Sequence, residues 1–201
     1  MNPLTIIMGF IPQAVFMILV NWLPLGGAAA AGLAVALALI AFTAARGGVK
    51  VLPVAQAVIL AVFTVVGFSL TRHDAASFEP YARGVASLAL AAFILATSVS
   101  RPFTAQFARA GVPPQYWNSP QFIGVNRRIS TAWGLAVLAV GAAHIAAALA
   151  GGGAPVIRIL LDWGVPAAAA YRAYSVTQRE IARSAQARPA DASQPAAPPA
   201  P

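Results

Sequence analysis

Apolar side chains run through this chain in long uninterrupted stretches, with polar groups gathered between them and no period-two alternation. No Lys, Arg, Asp or Glu occurs in residues 1–45, 51–71, 84–100 or 129–157. About 20 apolar residues in a helix cross a hydrocarbon layer of ~30 Å. Backbone amides in lipid must be satisfied within their own segment, so such runs become helices. The first 45 residues would reach about 67 Å as one helix at ~1.5 Å per residue, too long for one crossing. The stretch NWLPLGG, Asn21 to Gly27, supplies the break, with a Pro, two glycines and a Trp suited to the membrane interface.

The pattern therefore predicts an all-α polytopic membrane bundle of about six helices. Their expected extents are Leu4 to Leu23, Gly27 to Ala45, Val51 to Thr71, Gly84 to Ser100, Ile129 to Ala150 and Val156 to Val176. The first and last are the marginal ones. Pro12 is expected to kink the first, and the last contains Arg158, Asp162, Pro166 and Arg172. The first helix reads as a retained span, because Met-Asn-Pro before it carries no basic residue and a second span follows at once. Between the helices the reading places a basic turn at Arg46 to Lys50 and a polar loop at Arg72 to Arg83. A long connection at Arg101 to Arg128 and a Gly turn before Pro155 follow. Residues 1–183 form the membrane domain. Residues 184–201, mostly Ala, Pro, Ser, Gln and Arg, are expected to be a disordered tail.

Composition agrees. Hydrophobic residues make up 59% of the chain and charged residues 9%, against about 25% charged in soluble domains. Mean hydropathy is +0.74. A net charge of +8 would suggest nucleic acid in a soluble protein, but here the basic residues sit at the ends of apolar runs. Nucleic acid is therefore not an expected partner; the lipid bilayer is. With six helices, one face receives Arg46, Lys50, Arg101, Arg109, Arg127, Arg128, Arg172, Arg179, Arg183 and Arg188. The other receives Arg72, Arg83 and Arg158. Inside-facing loops collect Lys and Arg, so both termini are expected in the cytoplasm. There are no cysteines, which excludes disulfides and thiolate chemistry.

The connection Arg101 to Arg128 stands apart. It holds four of the sixteen prolines, four of the thirteen basic residues and no acidic residue. Phe103, Phe107 and Ala110 fall on one side of a short helix, with Arg109 on another. Tyr116 and Trp117 add interfacial rings, and Arg127 and Arg128 close the segment. Two readings follow: an aromatic belt with basic anchors at the headgroups, or a docking surface for a partner protein or a second copy.

The second candidate is intramembrane. His144 and Asp162 lie at matching distances on either side of the Gly turn, so an antiparallel hairpin brings them to similar depth. Arg158 is a candidate partner of Asp162 at i−4. The three predict a buried polar cluster near the outer leaflet, either a charge pair that fixes packing or a proton or ion relay. His73, Asp74 and Glu79 match no metal-binding spacing. No Ser-His-Asp set, phosphate-binding glycine loop or zinc motif is visible. No enzymatic activity, cofactor or metal is expected.

Four segments resemble the intracellular septation protein A family of small bacterial inner-membrane proteins: GFIPQAVFMILV, RHDAASFE, RPFTAQFARA with Trp117 downstream, and NRRISTAWGLAVL. The resemblance covers about Gly9 to Ala150 and implies a non-enzymatic role near envelope synthesis or division, acting through partner proteins. The alternative class is a small-solute transporter or channel built around the His144 and Asp162 site, since three plus three helices could form an inverted repeat.

Overall fold

The computed structural model describes residues 3–46, 48–151 and 155–186, and all regular structure in them is helical. The helices are α1 (Pro3–Met8), α2 (Ile11–Leu19), α3 (Leu25–Ala45), α4 (Val51–Ser69), α5 (Arg72–Ser100), α6 (Ala105–Ala108), α7 (Pro120–Ala150), α8 (Pro155–Ile159) and α9 (Val165–Gln186). Four of these rods, α3, α4, α5 from His73, and α7, are long and apolar enough to cross a membrane. The other two rods are each in pieces: α1 with α2, and α8 with α9.

The centre is the antiparallel pair α5 and α7, set together by glycine. A methyl group on Gly84 would meet Ile145, one on Gly141 would meet Leu88, and one on Gly134 would meet Leu95. Those three contacts give one register along the whole pair. α3 and α4 make the second antiparallel pair, and there Gly67 lies directly on the backbone of Gly26. Small residues let membrane helices approach closely, and dispersion rather than water exclusion then holds them. The interior holds Ala28, Ala29, Ala36, Ala82, Ala86 and Ala91 together with Phe16, Leu60, Leu90, Ile94 and Phe103, while Leu37, Val62, Phe68, Leu135 and Leu149 face outward. Trp22 and Trp163 are also exposed, near the end where α2 meets α3 and α8 meets α9.

Several boundaries differ from the expectation, each for a local reason. The first rod does not bend at Pro12. It breaks at Gly9 and Phe10, and Pro12 sits in the first turn of α2, where its missing N–H is harmless. The Gly9 carbonyl freed by the break accepts from Gln56 Nε2 of α4 at 3.0 Å. The segment Arg72 to Arg83 is not a loop but the first three turns of α5. Thr71 accepts from the Asp74 N–H at 3.3 Å and donates to the Asp74 carboxylate at 2.6 Å, which closes the helix start. Likewise α7 begins at Pro120 rather than Ile129, because the Ser119 hydroxyl accepts from the Phe122 N–H at 3.2 Å. The last rod is interrupted by a π-helical turn over Leu160–Gly164 and continues to Gln186, past the expected Val176. The tail expectation and Arg188 fall, beyond Gln186, outside the described residues.

Both long helices overhang the bundle, at opposite ends. Arg46, Lys50, Arg101, Arg109, Arg127, Arg128, Arg179 and Arg183 gather at one end, here termed the basic end. Arg83 and Arg158 lie at the other.

Candidate functional site

The segment from Arg101 to Arg128 is built into the basic end. Phe103 does not face lipid: it is 0% exposed and meets Phe10 edge-on, with ring centroids 6.3 Å apart. Phe107 packs edge-on against Phe103 at 6.3 Å. Phe10 in turn stacks on Trp133 of α7 at 5.1 Å. The neighbouring Thr104 is fully buried, donates to the Asn126 carbonyl at 2.9 Å, and shares a hydrogen bond of 2.9 Å with the Ser130 hydroxyl. Gln106 seals the start of α4, its Oε1 accepting from the Val51 N–H at 2.9 Å while its carbonyl accepts from Lys50 Nζ at 3.2 Å. This stretch therefore ties the α3–α4 turn to α7.

Less of it is left for partners than the sequence suggests. Trp117 is half-buried, donates to the Val112 carbonyl at 2.7 Å, and carries the Arg109 guanidinium 5.0 Å above its ring. Arg101, Arg109 and Arg127 are exposed, and Tyr116 is 52% exposed. Arg128 is committed elsewhere: it bonds Glu180 of α9 at 2.7 Å, and Arg183 reaches the same carboxylate at 3.1 Å. Glu180 is itself buried. A carboxylate at that depth needs such partners. Trp133 Nε1 adds a bond of 3.1 Å to Thr177, so α9 is held to α7 at two levels.

At the opposite end Asp162 has a different partner from the one the sequence suggests. Asp162 pairs with Arg83 of α5, at 3.1 Å, and not with Arg158. The two side chains are only 13% and 11% exposed. Asp162 lies in the π-helical turn, with its carboxylate turned to α5 and not back along its own helix. Arg83 also lies 3.4 Å from Asn21 Oδ1, which ties the last rod to the first. His144 is buried beside both members of the pair, and its Nδ1 has no hydrogen-bond partner among the described residues. Arg83 and Arg158 line a cavity of about 200 Å³ together with Pro80, Ala147, Ala148 and Gly151. Glu79, placed in a loop by the sequence reading, reaches across to the start of α3 and accepts from the Leu25 N–H at 3.2 Å. A carboxylate at a helix N-terminus complements its dipole.

Four long apolar helices around glycine contacts, with many large apolar side chains facing outward, define an all-α polytopic membrane bundle. Comparison with family models, curated proteins and solved structures finds no match to this chain.

Proposed function

We propose that the chain is a multi-pass protein of the bacterial inner membrane, with both termini cytoplasmic, that acts by association in cell-envelope or division processes. One observation supports the septation protein A-like reading most. Three of the four segments behind that resemblance meet in one cluster, through Phe10, Phe103 and Trp133. Phe78 of the fourth packs on Phe63, which contacts Phe16 of the first. The orientation follows from the basic end, since retained Lys and Arg mark the cytoplasmic side. On this reading the surface offered to a membrane partner or a second copy is the exposed set Arg101, Arg109, Tyr116 and Arg127. Phe103 and Phe107 serve the scaffold beneath it.

The test uses the natural host. Deletion of the gene, or replacement by a Tyr116→Ala/Arg127→Gln double variant present at normal membrane level, should lengthen cells or misplace septa. Normal envelope and division on deletion would sink the reading.

Transport is favoured by one observation, the unpartnered Nδ1 of buried His144 beside the Arg83–Asp162 pair. That reading requires solute flux in proteoliposomes that is abolished by His144→Ala while insertion is kept.

A further inference from the structure

We propose that the cavity between α5, α7 and α8 at the opposite end is a binding site for a phosphate-bearing anion. Two arginines from different elements, Arg83 and the exposed Arg158, line one space of about 200 Å³. Among the described residues the rest of the wall is Pro80, Ala147, Ala148 and Gly151, with no acidic side chain. Asp162 balances Arg83. Glu79, four residues before Arg83, is turned to the Leu25 N–H on α3. Arg158 makes no ion pair or hydrogen bond among the described residues, so the cavity holds one positive charge in excess.

An uncompensated cation at the margin of a hydrocarbon layer calls for an anion. Guanidinium forks match phosphate oxygens in pairs; both terminal nitrogens of Arg83 already donate, to Asp162 and Asn21, so Arg158 is the fork left to the anion. The volume fits a single headgroup-sized anion, being below the ~300 Å³ where sites for drug-sized ligands begin. The depth fits as well: Gly151 is the residue that ends α7, which is where lipid phosphates lie against a bundle. One turn deeper, His144 leaves Nδ1 unpartnered beneath Ala147 and Ala148. Lipid phosphate and free inorganic phosphate share this chemistry. The proposal stands apart from the cellular role, since it depends only on the geometry of this end.

The experiment follows thermal unfolding of the full chain in a neutral detergent by tryptophan fluorescence. Phosphatidylglycerol, phosphatidylcholine, and sodium phosphate against sodium chloride of equal ionic strength are titrated into wild type, Arg158→Gln and, as control, Arg179→Gln. Phosphatidylglycerol should raise the midpoint of wild type and of the control. Arg158→Gln should need about tenfold more lipid for the same rise, the loss expected for one charge-assisted fork. An equal rise with sodium phosphate, again weakened in Arg158→Gln, would assign the site to the free ion instead of the lipid. The proposal is overturned by an absent rise with either ligand, by an equal rise with phosphatidylcholine, or by an Arg158→Gln curve that matches wild type.

Discussion

Asp162→Asn leaves the Arg83 guanidinium largely buried with its counter-charge gone, and removing one member of a buried pair costs about 3–5 kcal/mol. The variant should therefore unfold in detergent at clearly lower temperature. Arg158→Gln in lipid-free detergent should stay within about 0.5 kcal/mol of wild type, because Arg158 is exposed and makes no ion pair or hydrogen bond among the described residues. Equal effects of the two would restore the pairing expected from sequence. A second contrast separates scaffold from surface within one segment. Phe103→Ala empties a fully enclosed ring site and should cost about 3 kcal/mol or more, whereas Tyr116→Ala, at a half-exposed ring, should cost little. Chemical unfolding of both variants in the same micelle checks this. The inward turn of Phe103 could not be read from the sequence: lipid and protein interior are equally apolar, so an apolar helix face does not say which one it meets.

Helix contacts are set by glycine, and the position of the obstacle orders the predicted damage. Gly67→Ala drives a methyl into the backbone of Gly26, which cannot yield, and should cost about 2 kcal/mol. Gly84→Ala meets chiefly the side-chain end of Ile145, with the Gly141 carbonyl farther off at 3.1 Å, and should be milder. The order, read from unfolding midpoints, reverses if the α3–α4 pair is looser than its geometry. Four spans were legible as runs without ionised groups, and those runs became α3, α4, most of α5 and most of α7. The overhanging turns were not, because charge was used as a sign of loop. Their start signals stood in the sequence all the same: Thr71 with Asp74 three residues on, and Ser119 followed by Pro120. The buried His144 and Asp162 were legible from their matched distances to the Gly turn. Arg83 as the partner was not, since a contact across 79 residues depends on how α5 and the last rod pack against α7.

At the scale of the whole molecule, small residues set the helix contacts, many large apolar side chains face outward, and the charges part mainly to two ends, with Arg172 between them beside Ala136 and Ala139 of α7. That arrangement is stable only where the outer surface meets lipid. The basic end is the more heavily tied, with Glu180 holding two arginines and Phe10, Phe103 and Trp133 packed above. The opposite end carries the single ion pair and the arginine-lined cavity. The absence of native cysteine makes the decisive measurement clean, because single introduced thiols report alone. Ala76→Cys lies on the exposed overhang of α5, and Gln115→Cys on the exposed turn before α7. In intact spheroplasts a membrane-impermeant maleimide should label Ala76→Cys at once and label Gln115→Cys only after permeabilisation. Labelling of both from outside, or recovery of the chain in the aqueous fraction after detergent-free lysis, would contradict a bundle that crosses the membrane with its basic end inward.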